Sequence, residues 1–400
     1  MEPGGSVTNI GRRTLTSAVR GDGLAAPGRA RWALALAGMA GAAVAVALDR
    51  SAARSAAGQD WPPFALVTGL LLVGLVAHDD GLFAAAGRRL ARTSSSGWLL
   101  YAGAVVLVSA VTSILNLDTS VAFLTPVLVH AARSRGEDDA PFLYGCLLLS
   151  NAASLLLPGS NLTNLIVLGH LHLSGTLFLH RVAGAWVVSV VITAAVVALF
   201  ERRSLRARAT PDGDGTRPVV GAGLVAVGAV TVLVLVLASP ALPVAGVGVA
   251  AVLVRVLRGR VRVGGVLEAI DLPVLVGLFG VAVALGTLGR AWSGPATALS
   301  HLDAWATAAV GAVASVLLNN LPAASLLAAR VPHRPLALLV GLDVGPNLFV
   351  TGSLSWILWL RAARGAGARP SIARASLLGV VSAPLAMAGA LGVLALAGSR

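Results

Sequence analysis

Asp343-Val344-Gly345-Pro346-Asn347, followed by Thr351-Gly352-Ser353-Leu354-Ser355, interrupts an apolar run over 335–361 that is otherwise long enough to cross a bilayer. An earlier run, 141–169, is interrupted in the same way, by Ser150-Asn151-Ala152-Ala153-Ser154 and then Pro158-Gly159-Ser160-Asn161-Leu162-Thr163-Asn164. A break facing lipid would leave backbone N–H and C=O groups without partners at several kcal/mol each, so such breaks survive only where protein encloses them. Interrupted segments in corresponding positions of two halves are the best sequence pointer to a carrier's binding site.

Working outward, the chain reads as an all-α, polytopic membrane protein. Its 400 residues are 56% hydrophobic and 12% charged, with a mean hydropathy of +0.85, beyond the apolar share of soluble domains. Apolar segments at roughly 32–49, 61–77, 98–115, 119–133, 141–169, 181–200, 218–238, 241–257, 271–289, 301–318, 320–330, 335–361 and 376–397 give about eleven to thirteen crossings, some short enough to be re-entrant hairpins. Residues 1–30 read as a disordered cytoplasmic tail, 31–209 as a first transmembrane half, 210–218 as a Pro/Gly/Asp linker and 219–400 as a second half. The order helix, Asn-led short segment, broken helix, long helix recurs around both breaks, and on this topology the two copies run in opposite directions, as inverted repeats do.

The net charge of +13 comes entirely from arginine against 17 acidic residues; there is no lysine. That excludes a Walker A lysine and Schiff-base chemistry. The arginines cluster in short loops, as the positive-inside rule describes, so the basic excess marks orientation in a cell inner membrane rather than nucleic-acid binding. One cysteine, Cys146, excludes an internal disulfide and any multi-cysteine metal site. His170, His172 and His180 bracket a loop without metal-site spacing, and neither H-E-x-x-H nor G-x-S-x-G occurs. No enzyme, cofactor or metal is called for.

Asp118 and Asp343 are the acidic residues expected inside apolar segments, where a carboxylate costs about 2.5–3.5 kcal/mol and is usually functional; both are assigned to ion or proton coupling. Asn116 leads the first short segment and Asn319-Asn320 the second. With Asn151, Ser154, Ser160, Asn161, Thr163, Asn164, Asn347, Gly352, Ser353 and Ser355 they supply hydroxyl, amide and backbone groups to a small polar substrate.

Gly341 to Asn347 with Thr351 to Ser355 and Leu358-Trp359-Leu360 resembles the late segment of arsenical pump membrane proteins of the ArsB type, in the ion transporter superfamily; Asn116 to Pro126, Ala153 to Asn164 and Asn319 to Pro322 are similar to that family's other polar segments, in the same order. The chain departs from the family pattern at Asn347, where lysine is usual, and at Asn116-Leu117-Asp118. The resemblance implies two inverted repeats with hairpins and broken helices, and export of arsenite or antimonite driven by proton exchange, membrane potential or a separate ATPase subunit. The superfamily also implies two alternatives, a sodium/proton antiporter and a carboxylate carrier. Expected partners are membrane lipid and a small metalloid or inorganic oxyanion, with an ATPase subunit and a second copy in a homodimer as optional ones.

Overall fold

A computed structural model describes residues 28–169, 173–206, 221–237, 239–259 and 263–398, and among these all regular structure is helical. The linker 210–218, His170, His172 and residues 1–27 of the expected tail lie outside the described residues; 28–30 already belong to the first helix.

The first half opens with α1 (Gly28–Leu48), α2 (Arg50–Asp79) and α3 (Leu82–Thr93). It continues with α4 (Gly97–Ile114), α5 (Leu117–Arg133), α6 (Ala140–Ala153), α7 (Leu162–Leu168) and α8 (Gly175–Phe200). Then follow α9 (Ala222–Val236), α10 (Ala241–Leu257), α11 (Val263–Ile270), α12 (Leu272–Ala291) and α13 (Gly294–Ser300). The second half closes with α14 (Ala304–Leu318), α15 (Asn320–Leu327), α16 (Pro335–Val344), α17 (Leu354–Gly365) and α18 (Ile372–Gly398). Of these, α1, α2, α4, α8, α12 and α18 contain stretches long and apolar enough to span a bilayer, and α6, α9, α10, α14 and α16 are shorter apolar helices.

Both breaks fall where the polar residues predict. A single 3₁₀ turn, Pro158–Ser160, separates α6 from α7, and another, Gly345–Leu348, follows α16. Proline and glycine cannot extend an α-helical ladder smoothly; asparagine restarts it after the first break and Ser353 stands at the restart after the second. The Asn161 side chain accepts from Thr163 N–H at the head of α7, Asn116 from Thr119 N–H (2.7 Å) at the head of α5, and Asn319 from Leu321 N–H at the head of α15. Asparagine is a strong N-cap because its oxygen satisfies a free N–H of the first turn. Asn319 adopts a left-handed φ of 76°, one of two non-glycine residues to do so among those described.

One expectation is corrected. The second helix begins at Arg50 rather than near 61, because Asp49 accepts from Ser51 and Ala52 N–H and caps it. Arg50 and Arg54 are therefore helical, and Asp60 joins Asp118 and Asp343 among the carboxylates within helices of the bundle.

The bundle has two distinct ends. At one, Arg135 donates to Ala91 O and Ser94 O (2.7 Å each) and pairs with Glu137, Ser204 donates to Asp138 (2.6 Å), Arg133 donates to Ala366 O and Gly367 O, and Arg374 pairs with Glu201 (2.5 Å). The opposite end gathers Gln59, Ile166, Ala328, Arg290 with Arg330, and Leu302 with Arg334. Hence α4 and α5 form a hairpin whose two outer termini lie at the first end, while those of the α14–α15 hairpin lie at the second. Each hairpin packs against the other half's broken helix, α5 on α17 and α15 on α7, and the long α8 lies along α18.

Close approach is enabled by small residues, as membrane helices require where apolar burial alone supplies no driving force. A side chain at Gly341 would meet the Ala308 backbone and one at Gly345 would meet Ala312, so α16 and the turn that follows it lie on α14 through four-residue-spaced small residues on both sides.

Candidate functional site

Asp343, in the last turn of α16, is the focus. Its Oδ1 accepts from the Thr163 hydroxyl (2.6 Å) and the Asn161 amide (2.9 Å), both in the opening turn of α7. Thus the second half's carboxylate is held by the first half's break, at a helix N-terminus whose partial positive charge suits an anion. Asn161 also donates to Ser154 (3.3 Å), whose hydroxyl donates to Asn151 O (2.8 Å), while Asn164 donates to Ser154 O (2.7 Å) and Leu157 O (3.0 Å).

A second bridge runs between the breaks. The Asn151 amide donates to Ser355 (3.4 Å), the Ser353 hydroxyl donates to Asn151 Oδ1 (3.3 Å), and Ser353 and Ser355 lie 2.5 Å apart. Asn347 donates to Leu148 O (2.9 Å) on α6. Trp356 and Trp359, fully buried, frame these groups by donating to Pro346 O (2.9 Å) and Leu143 O (2.8 Å). Every residue whose side chain takes part in this network is between 0% and 3% exposed.

Not every predicted residue joins it. Ser160 donates to Ser113 O (2.8 Å) and shapes the turn. Asn116 is buried in its capping role, Asn320 N–H donates to Gly352 O (2.9 Å), and Asn319, only partly buried, caps and donates to Thr351 O. Asp118 sits in the first turn of α5, and among the described residues no hydrogen bond or ion pair links it to Asp343. Sequence reasoning missed Ser109, Thr112 and Ser113, buried on α4; their three- and four-residue spacing in an apolar helix was the available signal. It also missed Asp60, 1% exposed.

The network is incompletely paired. Asp343 Oδ2, Asn164 Oδ1 and Asn347 Oδ1 are buried without a partner among the described residues. Each such group costs about 1–3 kcal/mol, and native interiors leave few of them. Concentrated where two broken helices meet, they form a set of convergent donors and acceptors able to exchange partners with a small polar solute.

Comparisons with known proteins point to a family of membrane transporters. A family model described as a citrate transporter, CitMHS, matches residues 24–351. Two arsenical pump membrane proteins of Escherichia coli are 23% and 24% identical over 338 residues, 75% of this chain and 78% of theirs. The crystal structure of the YdaH transporter of Alcanivorax borkumensis, described as having an unusual topology, matches with a TM-score of 0.52 at 17% identity over 87% of each chain. With a helical bundle whose two breaks meet at a buried carboxylate, and a family model spanning most of its length, the chain belongs to the citrate transporter (CitMHS) family and is a multi-pass membrane transporter.

Proposed function

We propose that the chain exports arsenite or antimonite as the neutral trihydroxide, with Asp343 carrying the coupling proton or cation and the two halves acting as inverted repeats that alternate access to the site between them. One observation carries this reading: the network joining the breaks consists of amides, hydroxyls and a single carboxylate. Arsenite at neutral pH is an uncharged triol, which such groups can replace water around by accepting and donating hydrogen bonds. A lone cysteine, Cys146, excludes a three-thiolate arsenic site. The names of the two Escherichia coli relatives support the same substrate.

The family model's description favours citrate as a second reading. A tricarboxylate calls for guanidinium partners, and among the described residues no arginine hydrogen-bonds to the network around Asp343 and Asn151. The arginine-rich end is assigned to the cytoplasm, which makes transport outward toward Gln59 and Arg290.

The test is arsenite resistance in a sensitive host beside uptake of arsenite and citrate into everted vesicles. The wild-type chain is expected to confer resistance and to move arsenite, and Asp343→Asn to abolish both at unchanged protein level. Full resistance in Asp343→Asn would remove its coupling role, and citrate flux without arsenite flux would replace the substrate.

A further inference from the structure

At the arginine-poor end, one side chain ties the two halves together. Gln59 Nε2 donates to Ile166 O (2.9 Å), near the C-terminus of α7, and to Ala328 O (3.0 Å), just beyond α15. These are the short helices whose other ends carry Asn161 and Thr163 in one half and Asn319 and Asn320 in the other. The amide cannot be turned round: Arg290 Nη2 donates to Gln59 Oε1 (2.5 Å), and Arg290 is itself anchored by donating to Gly286 O (3.0 Å). A guanidinium has only donors, so it fixes the oxygen toward itself and the NH₂ toward the two carbonyls.

Gly58 and Gly169 beside this contact are exposed, whereas Ser325 below it is 1% exposed. Asp60 is also 1% exposed, with the Arg290 charge acting on it and Oδ2 without a partner among the described residues, while the Ser325 hydroxyl donates to Leu321 O (3.3 Å). Ser325 therefore places a polar group on α15 between the Gln59 contact and the helix head at Asn320, and α7 beside it is only seven residues long. The opposite end has its own tie between halves, Arg133 on α5 donating to Ala366 O (3.0 Å) and Gly367 O (3.1 Å) just after α17.

We propose that Gln59, oriented by Arg290, is the gate that closes the substrate route at the arginine-poor end by holding the C-terminal ends of α7 and α15 together. The proposal rests on the transport reading above, and its test uses no substrate. In a Cys146→Ala background, Ser325→Cys reports water reaching the space below the gate through its reaction with a membrane-impermeant maleimide. Adding Gln59→Ala removes two hydrogen bonds and is expected to raise the labelling rate from the Gly58–Gly169 face about tenfold. From the opposite face the rate stays unchanged.

Gln59→Glu keeps the size and the Arg290 contact but offers the two carbonyls only acceptors, so it is expected to behave like Gln59→Ala. Arg133→Ala is expected to raise labelling from the other face alone. Unchanged labelling in both Gln59 variants, or an increase from both faces together, overturns the gate. If labelling responds as stated while arsenite does not move, the substrate reading falls and the gate stands.

Discussion

At the residue scale, the Asp343 carboxylate depends on two partners donated by the other half, and the shorter bond is from Thr163 at 2.6 Å. A hydrogen bond to a carboxylate contributes about 1.5–3 kcal/mol, so removing this one while keeping the shape is informative. Thr163→Val, isosteric but without a donor, is expected to lower arsenite transport about tenfold to a hundredfold, whereas Thr163→Ser keeps most of it. Vesicle flux normalised to protein level checks this. Equal losses in both variants would mean that the β-branched methyl, not the hydroxyl, matters. Polarity in an apolar run made Asp343 and Thr163 legible from sequence. Their pairing was not, because the two residues lie 180 positions apart and no local pattern encodes which break meets which. Asp118 carried the same sequence signal as Asp343, yet it opens α5 apart from the network: a carboxylate at a helix start serves the dipole as readily as a substrate.

At the scale of elements, the breaks were legible because proline, glycine and asparagine have unambiguous backbone consequences. The N-terminal extension of α2 was not. Arg50 to Asp60 is polar and precedes Pro62-Pro63, which reads as a boundary, but the Asp49 cap and the alanines carry the helix through it. Nor could sequence alone say which of 46 glycines are contact points. Gly341 is one: an added methyl would meet the Ala308 backbone rather than a movable side chain. Overpacking of this kind costs about 1–3 kcal/mol or more, and here it would part α16 from α14 and displace Asp343. Gly341→Ala is expected to lower both the melting temperature in detergent and transport. Gly58→Ala, where nothing lies within 4 Å, serves as the control and should match wild type in both. A silent Gly341→Ala would mean that the two helices have room to separate and that their close contact is not what positions the carboxylate.

At the scale of the whole molecule, both ends of the proposed route are tied, by Gln59 at one and Arg133 at the other, and the side chains of the network between them are buried to 3% exposure or less. A carrier must undo such ties one at a time, and on the proposed inverted-repeat reading the two halves supply two geometrically equivalent ways to do so. The proposed inversion has a direct consequence. The turn after α5 and the turn after α15 occupy the same place in the order of their halves, yet one sits with Arg135 and Glu137 at the arginine-rich end and the other with Arg330 and Arg334 at the opposite end. Ser134 and Val331 are exposed in these two turns. With Cys146 replaced by alanine, Ser134→Cys is expected to react with a membrane-impermeant maleimide only in everted vesicles, and Val331→Cys only in intact cells. The positive-inside rule fixes which is which: a reversal of both would overturn the orientation while keeping the inversion. Reaction of both from one face would place the equivalent turns on the same side of the membrane, and two halves in that relation could not alternate access to the carboxylate between them.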